Sequence, residues 1–311
     1  MTFVQNIALP LAVESATGCA MPVPACRQLD VELRPDDRAL WCYLNPRGRA
    51  SFTEHLLEDL RRVQEFATRS VARPGRGADA GLRWVVLASR TPGVFSLGGD
   101  LTVFNRAIRD GDREGLRRYA HACVEVAHRN ATGYGGDAVA IGLAQGEALG
   151  GGFESLLSCD VIVAERRARF GLPEVLFNLF PGMGAHPFLA RRVGPAAAQR
   201  MILSGETYSA EALHALGVVD LLVEDGAGEA AVRDYIRAKG PRGHAHAAAY
   251  KAAHRLYPVT LDDLRDVADI WVDAALGLSA HDLRRMSHLI AAQDRARSAR
   301  RDAEGPSRSA G

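Results

Sequence analysis

The amino-acid sequence predicts an α/β fold with a largely parallel sheet, closed by an all-helical region toward its C-terminal end. Three observations predict it. Apolar runs at residues 84–88, 138–143 and 161–163 are separated by stretches of helical periodicity, and strands joined by helical crossovers pair in parallel. The first two runs each lead into a glycine-rich turn that opens a helix. From residue 230 to about 296 only helical patterns occur.

Taken in order, residues 1–28 read as an N-terminal extension. Residues 29–33 and 39–44 are apolar or alternating and are stopped by Pro or charged turns, which predicts an opening hairpin. Asn45-Pro46-Arg47-Gly48 breaks the chain. Ser51, three residues before Glu54, then forms a capping-box signature for a helix to about Thr68, with Leu56, Leu57, Leu60, Val63 and Phe66 on one face. A loop rich in Arg, Gly and Pro covers 73–81. The strand at 84–88 follows, then helices at 101–108 and 116–128, a turn at 133–136 and the strand at 138–143. A helix at about 151–158, the strand at 161–163, two further helical stretches and a strand at 218–223 complete a core spanning 29–228. A helical subregion spans 229–296, with helices at 261–276 and 283–291. Residues 297–311, within a basic run from Arg295 to Arg308, read as a disordered tail.

Composition narrows the class. The 38 basic and 37 acidic residues nearly cancel, which gives no electrostatic reason to expect nucleic acid. No apolar run approaches the ~20 residues that cross a bilayer, and Met1 to Pro10 lacks a basic segment followed by an apolar one. A cytoplasmic globular protein is expected. The 5 cysteines are odd in number and lack paired spacing, so they read as reduced packing residues. Neither His121 and His128 nor His244, His246 and His254 match a ligand motif, so no metal and no cofactor are expected.

The chemistry concentrates in two segments that end buried strands: Phe95-Ser96-Leu97-Gly98-Gly99-Asp100 and Ala148-Leu149-Gly150-Gly151-Gly152-Phe153-Glu154. Glycine lets main chain approach a ligand, and a helix starting near Gly151 adds unpaired N–H donors with partial positive charge. Two such donors aimed at one point would hold a carbonyl oxygen as it gains charge, worth about 3–4 kcal/mol per donor. Either run alone serves equally well as a tight turn or a close helix–sheet contact. No Lys-Ser or Lys-Thr follows, so neither is a P-loop. Glu154 and Glu174 supply carboxyls with apolar neighbours, whose pKa values should rise toward the working pH. Taken singly, each could be a surface or capping glutamate.

In combination the motifs are specific. Phe-x-x-Gly-Gly-Asp, Ala-Leu-Gly-Gly-Gly-x-Glu, Ser-Cys-Asp-Val-Ile-Val-Ala, Phe-Gly-Leu-Pro-Glu and Phe-Pro-Gly-Met-Gly stand in the order and spacing of the crotonase (enoyl-CoA hydratase/isomerase) superfamily, which the chain resembles over about 30–290. The resemblance implies a spiral of repeated ββα units with C-terminal helices that cover the site and pack between subunits, in a homotrimer or hexamer. It implies an oxyanion hole at the N–H groups of Gly99 and Gly151, with Gly98 as the fallback, and catalytic glutamates at Glu154 and Glu174. Leu149, Met183 and Trp271 are candidates for an acyl-pocket wall, with plain core packing as the other reading.

The stretches Val94-Phe95-Ser96-Leu97-Gly98-Gly99-Asp100-Leu101, residues 171–184 and Ile270-Trp271-Val272-Asp273 are similar to the diffusible signal factor synthases within that superfamily. Those enzymes make cis-2-unsaturated fatty acids for quorum sensing. The similarity implies dehydration of a 3-hydroxyacyl chain on acyl carrier protein, with Glu174 taking the α-proton and Glu154 assisting hydroxyl departure, then thioester hydrolysis in the same hole. Asn178 stands where those synthases carry Asp, and Ser96 where they carry Asn. One rival reading is a conventional hydratase or isomerase acting on acyl-CoA. Another is a crotonase-fold binding protein working through a partner such as a membrane sensor kinase.

Overall fold

The computed structural model describes residues 12–14, 20–71, 81–135 and 138–304. The segment Met1 to Pro10, Cys19, most of the 73–81 loop and the last residues of the basic tail lie outside the described residues. Strands β1 (Ala12–Glu14) and β2 (Ala20–Pro22) form a small antiparallel pair. Strands β3 (Leu29–Arg34) and β4 (Ala39–Leu44) form the hairpin, in register from Leu29 opposite Leu44 to Arg34 opposite Ala39. Helix α1 (Glu54–Ser70) starts later than the Ser51 signature implies. Its cap is Thr53, whose side chain accepts from the Leu56 N–H. The reason is tertiary: the Phe52 N–H donates to Gly98 O at 2.8 Å and Phe52 bridges Gly99, so the chain at 52 is drawn alongside the first glycine motif.

From there each turn of the chain follows one plan, a long strand, a short strand and then helix. The first turn is β5 (Trp84–Ser89), β6 (Val94–Ser96), α2 (Leu101–Asp110) and α3 (Arg113–Ala131). The second is β7 (Val139–Ala144), β8 (Glu147–Leu149) and α4 (Gly151–Leu157). The third is β9 (Val161–Glu165), β10 (Arg169–Gly171), a 3-10 turn (Pro173–Phe177), α5 (Ala185–Val193) and α6 (Pro195–Ser204). Strand β11 (Thr207–Ser209), helix α7 (Ala210–Ala215) and strand β12 (Leu221–Val223) close the spiral. The long strands form a six-stranded sheet in the order β12-β9-β7-β5-β4-β3, and the short ones a four-stranded sheet in the order β11-β10-β8-β6. Strand β12 is shorter than the expected 218–223, because the Val218 N–H is spent on Leu213 O (2.8 Å) as α7 ends.

The large sheet is buried on both faces, which is why its strands read as continuous apolar runs. On one face Trp41, Trp84, Val86, Ile141 and Val163 meet Val232 and Ile236 of α8 (Gly228–Lys239) and Ala247 of α9 (Gly243–Leu256). On the other, Leu40, Val85, Leu87 and Ile162 belong to the main core with α1, α3 and α4. Each such side chain stabilises the fold by about 1.5–3 kcal/mol on burial. A buried polar chain ties the three helices together: Gln64 Nε2 donates to Asn130 Oδ1, and Asn130 Nδ2 to Ser158 Oγ, each at 3.0 Å. Helix α10 (Leu261–Leu276) covers the predicted residues and lies along α3. Arg113–Asp273 and Arg117–Asp269 pair on its outer side, and Trp271 packs inward on Phe104. Helix α11 (Ala280–Glu304) runs through the boundary drawn at 296, as its Ala- and Arg-rich sequence favours helix.

Candidate active site

Strands β6 and β8 are parallel neighbours, with Ser96 opposite Ala148, so the glycine motifs at their C-terminal ends arrive together. The contact is close. A Cβ on Gly98 would stand 2.7 Å from Leu149 O and 2.9 Å from Gly151 N, and Gly98 has φ +88°. Two of the glycines at this junction spend their N–H on protein: Gly98 on Ser96 Oγ (3.2 Å) and Gly150 on Gly171 O (2.8 Å). Gly151 opens α4, so its N–H has no acceptor within the helix. The Gly99 N–H meets no acceptor among the described residues. These two donors are neighbours, since a Cβ on Gly151 would stand 3.4 Å from Gly99 N. The fallback donor, Gly98, is already occupied.

Glu154 lies one turn into α4 and is 1% exposed. Its Oε1 accepts from the Met183 N–H (2.7 Å) and the Ala185 N–H (3.0 Å), where α5 begins. Burial pushes its pKa up to about 7, and those main-chain donors restrain the rise. Glu174 stands on the 3-10 turn entered through Pro173. Its Oε1 lies over Gly150, where any Cβ would overlap it, and its Oε2 is shielded without a partner. The residue as a whole is only partly buried, but its carboxyl points inward. Burial first, and then the charge of Glu154, push its pKa up to about 8. Of the pair, Glu154 is the one that ionises more readily, because α5 brings it the Met183 and Ala185 N–H donors while Glu174 faces its charge.

Both carboxyls and both free donors line one narrow cleft with a cavity volume of about 50 Å³. Its wall is mostly apolar with a few convergent polar groups, the lining that small-molecule sites show. Met183 and Trp271 stand in the wall. Met183 also places Sδ over Gly151, within 2.5 Å of where a Cβ would be, and Trp271 lies against Gly182. Leu149 does not line the cleft. It packs instead with Ala50 and Val94 and behind the wall residue Leu97. Phe104, Tyr119, Cys123 and Phe177 are wall residues that the sequence reading missed. The apolar repeat of α3 at 116, 119, 120 and 123 was a signal of a buried face, but not of what that face meets.

Two histidines, His121 and His254, tie their helices to carboxylates elsewhere in the fold. His121 Nε2 lies 2.7 Å from Asp269 Oδ1, and His254 Nε2 lies 2.7 Å from Asp160 Oδ1. Among the described residues no three His, Cys, Asp or Glu side chains are grouped to hold a metal, and no helix is long and apolar enough to cross a membrane.

A spiral of ββα turns whose short strands end in glycine motifs at a carboxyl-lined cleft is the crotonase fold. The crystal structure of an enoyl-CoA hydratase from Bacillus halodurans superposes with a TM-score of 0.70 at 21% identity, covering 84% of this chain and 100% of that one. The chain belongs to the enoyl-CoA hydratase/isomerase family, whose model matches residues 76–255, more than half of the 311. The 2,3-dehydroadipyl-CoA hydratase of Escherichia coli (strain K12) is 46% identical over 79 residues, 25% of this chain and 31% of that protein. The mevalonyl-coenzyme A hydratase SIDH of Beauveria bassiana is 46% identical over 86 residues, 28% of this chain and 31% of that protein. The match thus spans about a third of the length of these relatives.

Proposed function

We propose that the protein hydrates the C2=C3 double bond of an enoyl-CoA thioester, and in reverse dehydrates the 3-hydroxyacyl thioester. The observation that carries this reading is the asymmetry between the carboxyls: Glu154 is held by the Met183 and Ala185 N–H groups, whereas Glu174 keeps its shielded Oε2 without a partner. The thioester oxygen sits between the N–H groups of Gly99 and Gly151. Glu154, as carboxylate, takes a proton from water as the oxygen adds to C3. Electrons move through C2 onto the carbonyl oxygen, where the two donors hold the enolate. Glu174, protonated, then delivers its proton to C2. With Oε1 committed to two donors, Glu154 carries the incoming proton on Oε2. Dehydration runs the same steps backwards, with Glu174 as base and Glu154 as acid. The CoA hydratases among the relatives support the carrier.

The test uses the purified chain with enoyl-CoA thioesters of several lengths, following loss of the conjugated enoyl absorbance. Hydration by the wild type, lost in both E154Q and E174Q with folding retained, is the expected result. Full activity in either variant removes the mechanism.

A second reading rests on the 171–184 stretch, which carries the likeness to diffusible signal factor synthases and supplies Glu174 and the Met183 N–H that anchors Glu154. Under it the same cleft dehydrates 3-hydroxyacyl-acyl carrier protein to a cis-2 product and then hydrolyses the thioester, one glutamate activating water. Parallel assays with carrier-protein and CoA substrates separate the two readings. Free cis-2 acid, identified by mass spectrometry and NMR, selects the second, and a CoA-bound trans product selects the first.

A further inference from the structure

We propose that Tyr119 is a positioning residue that holds the Gly99 N–H in its donating orientation, an inference that rests on the oxyanion-hole reading above. The two donors of that hole are built differently. Gly151 is fixed by helix α4, whereas Gly99 lies in a connection between β6 and α2. Glycine has the widest backbone freedom of any residue, so something else must hold this one still.

Two peptide groups flank Gly99, and both are tied to Phe52. The Gly98 carbonyl, which shares a planar trans peptide with the Gly99 N–H, accepts from the Phe52 N–H at 2.8 Å. Fixing that carbonyl sets the N–H in the opposite direction. On the other side the Asp100 N–H donates to Tyr119 Oη at 3.0 Å, and the same hydroxyl donates to the Phe52 carbonyl. Tyr119 therefore acts as a clamp that reinforces, through its hydroxyl, the Phe52–Gly99 bridge at the second peptide.

The clamp comes from a rigid element. Tyr119 is 4% exposed on α3, and its ring stands edge-on to Phe104 at 5.3 Å and 82°. The Phe104 ring in turn lies over Gly99, where a Cβ would overlap it. The hydroxyl needs its proton to reach Phe52, and burial keeps the phenol neutral by pushing its pKa well above 10. Tyr119 also lines the cleft, so the clamp sits beside the reacting carbonyl.

The experiment compares wild type with Y119F in the full chain. Steady-state kinetics on enoyl-CoA are joined to isotope-edited infrared spectra of a bound, non-reacting acyl-CoA labelled with carbon-13 at the carbonyl. In Y119F kcat should fall by about 10–100-fold with KM within about two-fold, because a misaligned donor costs transition-state stabilisation more than binding. The bound carbonyl band should return toward its free position, and the pH limbs set by the glutamates should not move. p-Aminophenylalanine at 119, which keeps a donor toward Phe52, should recover most of kcat. If Y119F fails to fold, 4-methylphenylalanine fills the space of the hydroxyl without bonding and takes its place. Wild-type kcat and carbonyl shift in whichever variant folds overturn the proposal. A wild type that neither hydrates enoyl-CoA nor shifts the carbonyl overturns the reading of the site itself.

Discussion

Glu154 and Glu174 are the same residue type in the same cleft, yet their surroundings differ in one respect. Glu154 sits on a helix and receives two main-chain N–H groups from the start of α5. Glu174 sits on a 3-10 turn with its Oε2 shielded and unpartnered, while facing the charge of its neighbour. Desolvation acts on both, and the Met183 and Ala185 donors favour the ionised form of Glu154. Under the proposed function this division makes an acid and a base from one side-chain chemistry, and it can be attacked from either side.

The largest effect should come from neutralising either carboxyl. E154Q and E174Q should each lower kcat by about 10²–10⁴-fold in steady-state assays, the usual loss on removing a general acid or base. Gly151→Ala should follow at about 10²–10³-fold, comparable to the loss of an oxyanion donor. The new methyl would stand 2.5 Å from Met183 Sδ, and displacing Met183 disturbs the N–H that anchors Glu154.

The comparison is sharpened by titration. With Glu174 at about 8 and Glu154 at about 7, kcat/KM should trace a narrow bell between those limbs, whose apparent values belong to the pair. In E154Q the Glu174 carboxyl should titrate at lower pH, since the neighbouring charge is gone; carbon-13 NMR of the side chain checks this.

Stability should show the same asymmetry. Glu174 binds its proton more tightly in the folded state, about 8 against an ordinary 4.5, so it lowers stability progressively as pH rises through that window. E174Q should therefore be more stable than wild type above pH 8 by up to about 2–4 kcal/mol, with the difference gone at low pH, as read by thermal unfolding against pH. E154Q should gain less, because it gives up charge-assisted bonds to two N–H groups. Smallest of all, L149A should leave kcat/KM within about two-fold, since its side chain is outside the cleft.

Much of the fold was legible before any coordinates. The long strands announce themselves because both of their faces are buried, and α10 matches its apolar periodicity residue for residue. The short strands β6, β8 and β10 are three residues each, too few to show a period, and their motifs read as turns. The Thr53 cap was missed because the pull on Phe52 comes from Gly98 rather than from its own helix. Leu149 was misplaced because its motif does not reveal which face of a three-residue strand looks into the cleft. Tyr119 was legible as an apolar-face residue of α3, while its partner Phe52 lies 67 residues away.

The order of residues by itself determined the local chemistry: glycines at two strand ends, a carboxyl one turn into a helix, and another behind a proline. Only the tertiary structure decided which N–H groups stay free and which carboxyl receives the N–H groups at the start of α5. Those outcomes depend on donors and desolvation supplied from elsewhere in the chain, as with Met183 and Ala185, 29 and 31 residues beyond Glu154. A hydrogen bond is satisfied by whatever folding brings near, and sequence spacing does not record that.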